Sequence, residues 1–167
     1  MRFPAQTEQP TGDILRFILR GHMIDIREVA RLPAIYAVLA SPSPFSTNNF
    51  SGTCVRLTRE LLKNAVDRIR ANREGWYHRH QGTWLMMRSC SRSALHLLGI
   101  ALKCQQAATA MKIDRQDLER EVLPPQWKEA VVQVVELLDY WADESRDIKR
   151  LSSILKELMH SCESPEE

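Results

Sequence analysis

The chain has 167 residues, enough for one compact domain whose fold hides roughly 70% of the surface that its unfolded chain exposes. It is 44% hydrophobic and 26% charged with only six glycines, an ordinary globular composition, and no apolar stretch approaches the roughly 20 residues of a membrane span. Net charge is +2, which excludes a uniformly basic or acidic tail protein but conceals a polarity. Residues 54–103 hold ten Lys/Arg against three Asp/Glu, whereas residues 112–167 hold eight against fourteen. The two halves can therefore attract each other within the fold or present faces of opposite sign to partners.

The first residues turn polar too early for a signal peptide, so an intracellular protein is expected. Residues 1–12, with Pro4, Pro10 and Gly12, read as a flexible lead-in. Asp13 suits the cap of a short helix through Ile14, Leu15, Phe17, Ile18 and Leu19, stopped by Gly21. A second helix is expected over 24–39 on the apolar positions Ile26, Val29, Ala30 and Pro33, bent or split at Pro33. The Ser/Pro/Asn-rich run 41–52 is the clearest loop, and it closes a weakly patterned N-terminal segment, 1–52.

From 53 to 160 the pattern is strongly helical. Leu57, Leu61, Leu62, Ala65, Val66 and Ile69 make one face of a helix over 53–72, with Arg56, Arg59, Lys63, Arg70 and Arg73 largely off it. A longer helix over about 81–110 carries apolar residues on more than one side, which predicts a central position with neighbours around it. Asp114 can cap a short polar helix to about Val122, and Pro124-Pro125 then resets the chain. Helices over about 126–142 and 145–160 follow, leaving a polar tail, 161–167. No strand-like alternation appears, and the predicted fold is all-α: an irregular multi-helix bundle around one central apolar helix.

Three segments carry a resemblance. His80-Gln81-Gly82-Thr83-Trp84-Leu85-Met86-Met87-Arg88-Ser89-Cys90, followed by Ser93-Ala94-Leu95-His96-Leu97-Leu98, resembles a stretch of fungal zinc-cluster transcription factors. There a Trp begins a long helix, with an Arg one turn on and a small-plus-leucine run after it. Leu123-Pro124-Pro125-Gln126-Trp127-Lys128-Glu129-Ala130-Val131 is similar to that family's proline, polar step, Trp and helix. Residues 134–147, through Leu137, Leu138, Tyr140, Trp141, Asp143 and Ser145, look like its closing leucine, aromatic, Trp, acidic, Ser pattern. The match covers roughly residues 54–160, and the first fifty match nothing comparable.

The resemblance implies the C-terminal part of a non-enzymatic, all-helical regulatory domain, nuclear and acting through protein contacts or an inducer. It implies protein partners or homo-oligomers, and no cofactor. A zinc cluster needs six cysteines with C-x-x-C pairs, each zinc taking four thiolates. This sequence has four scattered cysteines (Cys54, Cys90, Cys104, Cys162), read as helix-buried thiols, so DNA binding by that mechanism is not expected. Either the chain is the back part of a longer factor, or it is a stand-alone helical interaction module that modulates full-length factors.

No catalytic, metal-binding or DNA-binding residue is assigned. His78 and His80 beside Cys90 supply too few ligands of fixed spacing for a metal, and Cys90 within a helix is a poor nucleophile. Glu60, Asp67 and Glu74 interrupt the basic residues 56–92 near Trp76, Tyr77 and Trp84, which argues for a solvated face over a nucleic-acid site. No phosphate loop, nucleophile elbow or zincin motif is present. Trp84, Trp127 and Trp141 are expected in the core. Arg88, among apolar neighbours, is expected partly buried and paired with a carboxylate of the Trp141–Glu144 turn, in a cluster of Asp139, Asp143, Glu144 and Asp147.

Overall fold

A computed structural model describes residues 14–42, 45, 52–77 and 82–163. Among these the chain forms seven α-helices and no strand, an all-α bundle. The helices are α1 (Ile14–Val29), α2 (Leu32–Ala40), α3 (Gly52–Asn72), α4 (Gly82–Met111), α5 (Arg115–Val122), α6 (Trp127–Trp141) and α7 (Arg146–Glu163). Single 3₁₀ turns at Arg73–Gly75 and Ala142–Glu144 follow α3 and α6.

The first break differs from expectation. Gly21 lies inside α1 with nothing near it, and the chain turns at Ala30-Arg31. A solvent-facing glycine costs a helix only about 1 kcal/mol, which α1 tolerates. Pro33 cannot donate to a preceding turn, but it fits the first turn of a new helix, and α2 starts there. The inward face differs as well. Ile26 and Val29, expected inside, are 63% and 62% exposed, and Pro33 is exposed too. α1 instead buries Ile24 and Glu28, one turn apart, against α3, while α2 buries Ala34, Ile35 and Val38.

α4 runs 30 residues, roughly 45 Å at 1.5 Å per residue. At 100° per residue, its buried positions from Thr83 to Ala108 cover an arc of roughly 220°. That arc is too wide for one neighbour, and α2, α3, α5, α6 and α7 all pack on it. Its closest approach to α2 is at Gly99, where a Cβ would sit 3.3 Å from a Leu39 methyl. Leu61, Leu62 and Ile69 of α3, Leu97, Leu98 and Ile100 of α4, and Leu137 and Leu138 of α6 are fully buried in one core. Ile35 and Val38 of α2, and Ile148 and Leu155 of α7, belong to that same core.

The predicted punctuation of the C-terminal half is present. Asp114 caps α5, its carboxylate accepting from the Gln116 amide at 2.6 Å. The Pro124 carbonyl accepts from the Trp127 amide at 3.1 Å as α6 begins. α4 ends with Lys112 at φ 55°, while the Ile113 amide reaches back to the Ala108 carbonyl at 3.1 Å. This is a Schellman-type cap with lysine where glycine is easiest. We expect Lys112→Gly to raise stability by about 1 kcal/mol, seen as a melting temperature higher by about 2–4 °C. A lower melting temperature would mean that the Lys112 side chain contributes more than the left-handed backbone costs.

Candidate functional site

Two clusters stand out. The first is electrostatic and internal. Glu28 is 3% exposed, a carboxylate that α1 delivers between α3 and α4. Burying that charge without partners would cost several kcal/mol. Arg68 of α3, also buried, hydrogen-bonds Glu28 through one nitrogen and donates to Asp25 at 2.7 Å through another. Arg92 of α4 donates from Nε to the other Glu28 oxygen at 2.6 Å. His96, one turn along α4, brings Nδ1 to 3.8 Å from the same oxygen, beyond hydrogen-bond range, and meets Tyr36 edge to face at 6.5 Å. Three elements are thus fastened through one carboxylate.

His96 stays neutral at neutral pH. Burial, the largest influence, lowers its pKa from the ordinary 6.5, Arg92 and Arg68 act the same way, and Glu28 opposes them. Cys90 and Cys104 are elsewhere in the core, and burial pushes their thiols up to about 11 and about 12, far from reactive. Cys162 is buried with its thiol also raised, and all four cysteines are free. Among the described residues no group of three His, Cys, Asp or Glu side chains is placed to hold a metal. His78 and His80 lie outside the described residues.

The second cluster is aromatic and faces outward. Trp141 is buried at the end of α6, and its indole N–H donates to the Trp76 carbonyl at 2.9 Å, tying α6 to the turn after α3. Tyr140 packs edge to face on Trp141 at 5.3 Å and on Tyr77 at 4.9 Å, while Trp84 lies 6.2 Å from Trp141. Trp127 and Trp141 are in the core as expected. Trp84 is exposed instead, with Tyr77, Tyr140 and Leu85 beside it, Leu85 at 71%. At 100° per residue Trp84 and Leu85 fall outside the buried arc of α4, on its outward side, although they begin the same helix as the buried Thr83, Met86 and Met87.

Arg88 also departs from expectation. It bonds Asp147 at 3.0 Å, in the first turn of α7 and not in the Trp141–Glu144 turn, and the two side chains are 64% and 56% exposed. The apolar neighbours of Arg88 in sequence lie on other sides of α4. Five of the ten Lys/Arg in the basic half form ion pairs within the chain. Arg56 pairs with Glu60, Arg59 with Glu121, Arg68 and Arg92 with Glu28, and Arg88 with Asp147. Only two of these pairs, those to Glu121 and Asp147, join the basic half to the acidic one. A continuous cationic face for phosphates does not form from these residues.

Glu28 was not singled out from sequence, and Tyr77, Trp84 and Tyr140 were named there but not as one exposed cluster. Glu28 sits on a helix where Leu19, Met23, Ile26 and Val29 face water, so periodicity points away from it. Tyr140 and Trp84 flank residues that are core, and nothing local separates them. No family model matches the chain, and no curated protein or solved structure matches it significantly.

Glu28→Ala should cost about 3–5 kcal/mol in chemical denaturation, because it leaves Arg68 buried with part of its charge unanswered. Arg88→Met should change stability by less than about 1 kcal/mol, its pair being solvent-screened. For His96 the sign follows from the lowered pKa: below about pH 6.5 the unfolded chain binds a proton that the folded one resists. Stability should therefore fall as pH drops through and below that value, and His96→Gln should remove that component of the slope. An unchanged slope in the variant would place the acid sensitivity elsewhere.

Proposed function

We propose that the chain is a non-enzymatic, helical regulatory domain of the kind found in fungal zinc-cluster transcription factors, working through protein contacts. The observation that carries this reading is where the three resembling segments meet. Trp84 of the first and Trp141 of the third are in contact at 6.2 Å, and Arg88 of the first bonds Asp147 of the third at 3.0 Å. Trp127 and Val131 of the second lie in the same core as Leu97 and Leu98 of the first. Landmarks far apart in sequence thus lie in one structural unit, which supports reading them together.

The chemistry of the surface is in keeping with this. Tyr77, Trp84, Leu85 and Tyr140 are residues of the type that anchor protein interfaces, where rigid aromatic area is gained at little entropic cost. The Cys90 and Cys104 thiols are buried and raised, which supports a reading in which these two do no covalent catalysis. A nuclear location goes with the reading, as do protein partners or a second copy.

The test is to place the chain between a heterologous DNA-binding domain and a constitutive activating segment and to measure a reporter. A regulatory domain should change output several-fold, and a Trp84→Ala/Tyr140→Ala double variant, shown by circular dichroism to be folded, should abolish the change. Output indifferent to the inserted chain would overturn the proposal.

A further inference from the structure

Away from both clusters, the exposed side of α3 meets the corner between α5 and α6 in an open cleft of about 340 Å³. Its floor is apolar, from Val66, Val122, Leu123 and Pro124. Its rim is charged. Arg59 is tied to Glu121 at 2.7 Å across one end. Lys63 and Arg70 stand along the α3 side, both exposed and neither in an ion pair with a described residue, unlike most arginines of this half. Asp67 lies between them, one turn from each.

Those positions define a charge pattern. Lys63 and Arg70 are seven residues apart on one helix, roughly 10.5 Å along its axis. Asp67 repels negative charge placed between them. Duplex DNA, with a phosphate for about every 3.4 Å of helix axis on each strand, would set negative charge against Asp67. A peptide meets the pattern differently. In a polyproline-type extended segment, residues three apart share a face and lie about 9.3 Å from each other, with uncharged residues between.

We propose that this cleft binds an extended acidic segment of a partner protein. Two carboxylates three residues apart sit on Lys63 and Arg70, and an intervening apolar side chain rests on Val66, Val122 and Leu123. The proposal is independent of the regulatory-domain reading, because it rests only on the charge and shape of the cleft.

The experiment uses the full chain and fluorescein-labelled, end-capped peptides carrying two Glu separated by one to four residues that include Leu and Pro, such as Glu-Leu-Pro-Glu. Fluorescence polarisation should show saturable binding that is tightest at two intervening residues and weakens as salt is raised. Lys63→Glu and Arg70→Glu, both exposed substitutions checked by thermal melting, should each weaken it about tenfold or more, as should Gln in place of both Glu. No saturable binding by any peptide up to about 1 mM would overturn the proposal. So would affinity indifferent to spacing, an unchanged Lys63→Glu variant, or tighter binding of a single-stranded oligonucleotide.

Discussion

A helix that is apolar over roughly 220° of its circumference cannot rest on a single neighbour without leaving several side chains in water. α4 imposes this condition on everything else. Each of α2, α3, α5, α6 and α7 covers part of it. The remaining part of its circumference is left outward, and Trp84, Leu85 and Arg88 lie on it, so the outward aromatic cluster begins where the apolar arc ends.

α1 is held differently. Beside Ile24 it buries an acid, Glu28, and the force that seats that carboxylate is the demand of the buried Arg68 for an anion, with the half-exposed Arg92 on the other oxygen. A buried pair of this kind adds less net stability than an apolar contact of equal size, but it is intolerant of mispairing. Only a helix presenting a carboxylate at one position satisfies both arginines. The apolar residues Leu19, Met23, Ile26 and Val29 are left on the outside of α1 as a consequence.

The charge polarity of the sequence turns out to serve mainly local ends. The basic half is drawn inward to Glu28, sideways to Glu60, and in two places across to the acidic half. What it leaves unpaired beside the cleft, Lys63 and Arg70, is a small part of its charge but has a defined spacing. Partner contacts through the aromatic end and through this cleft would use surfaces on opposite terms, one rigid and aromatic, the other electrostatic and salt-sensitive.

Helix periods, caps and prolines are local properties, and residues 53–160 state them plainly. The spans of α3 to α7, the Asp114 cap, the restart after Pro124-Pro125 and the central place of α4 were all legible there. Local pattern failed where a distant partner outweighed it. Ile26 and Val29 have core spacing but face water, because Glu28 is claimed by arginines 40 and 64 positions away. Arg88 has apolar neighbours but is exposed, because those neighbours point to other sides of the helix. Trp84 and Trp141 look alike in sequence, and only the packing around each separates them, Trp84 being 37% exposed and Trp141 buried. Sequence by itself determined which segments are helices and where they stop, since those preferences act within a turn or two. Which face of α1 turns inward, which tryptophan meets solvent and which cations stay unpaired were decided by tertiary structure, since each depends on what another part of the chain brings within a few ångströms.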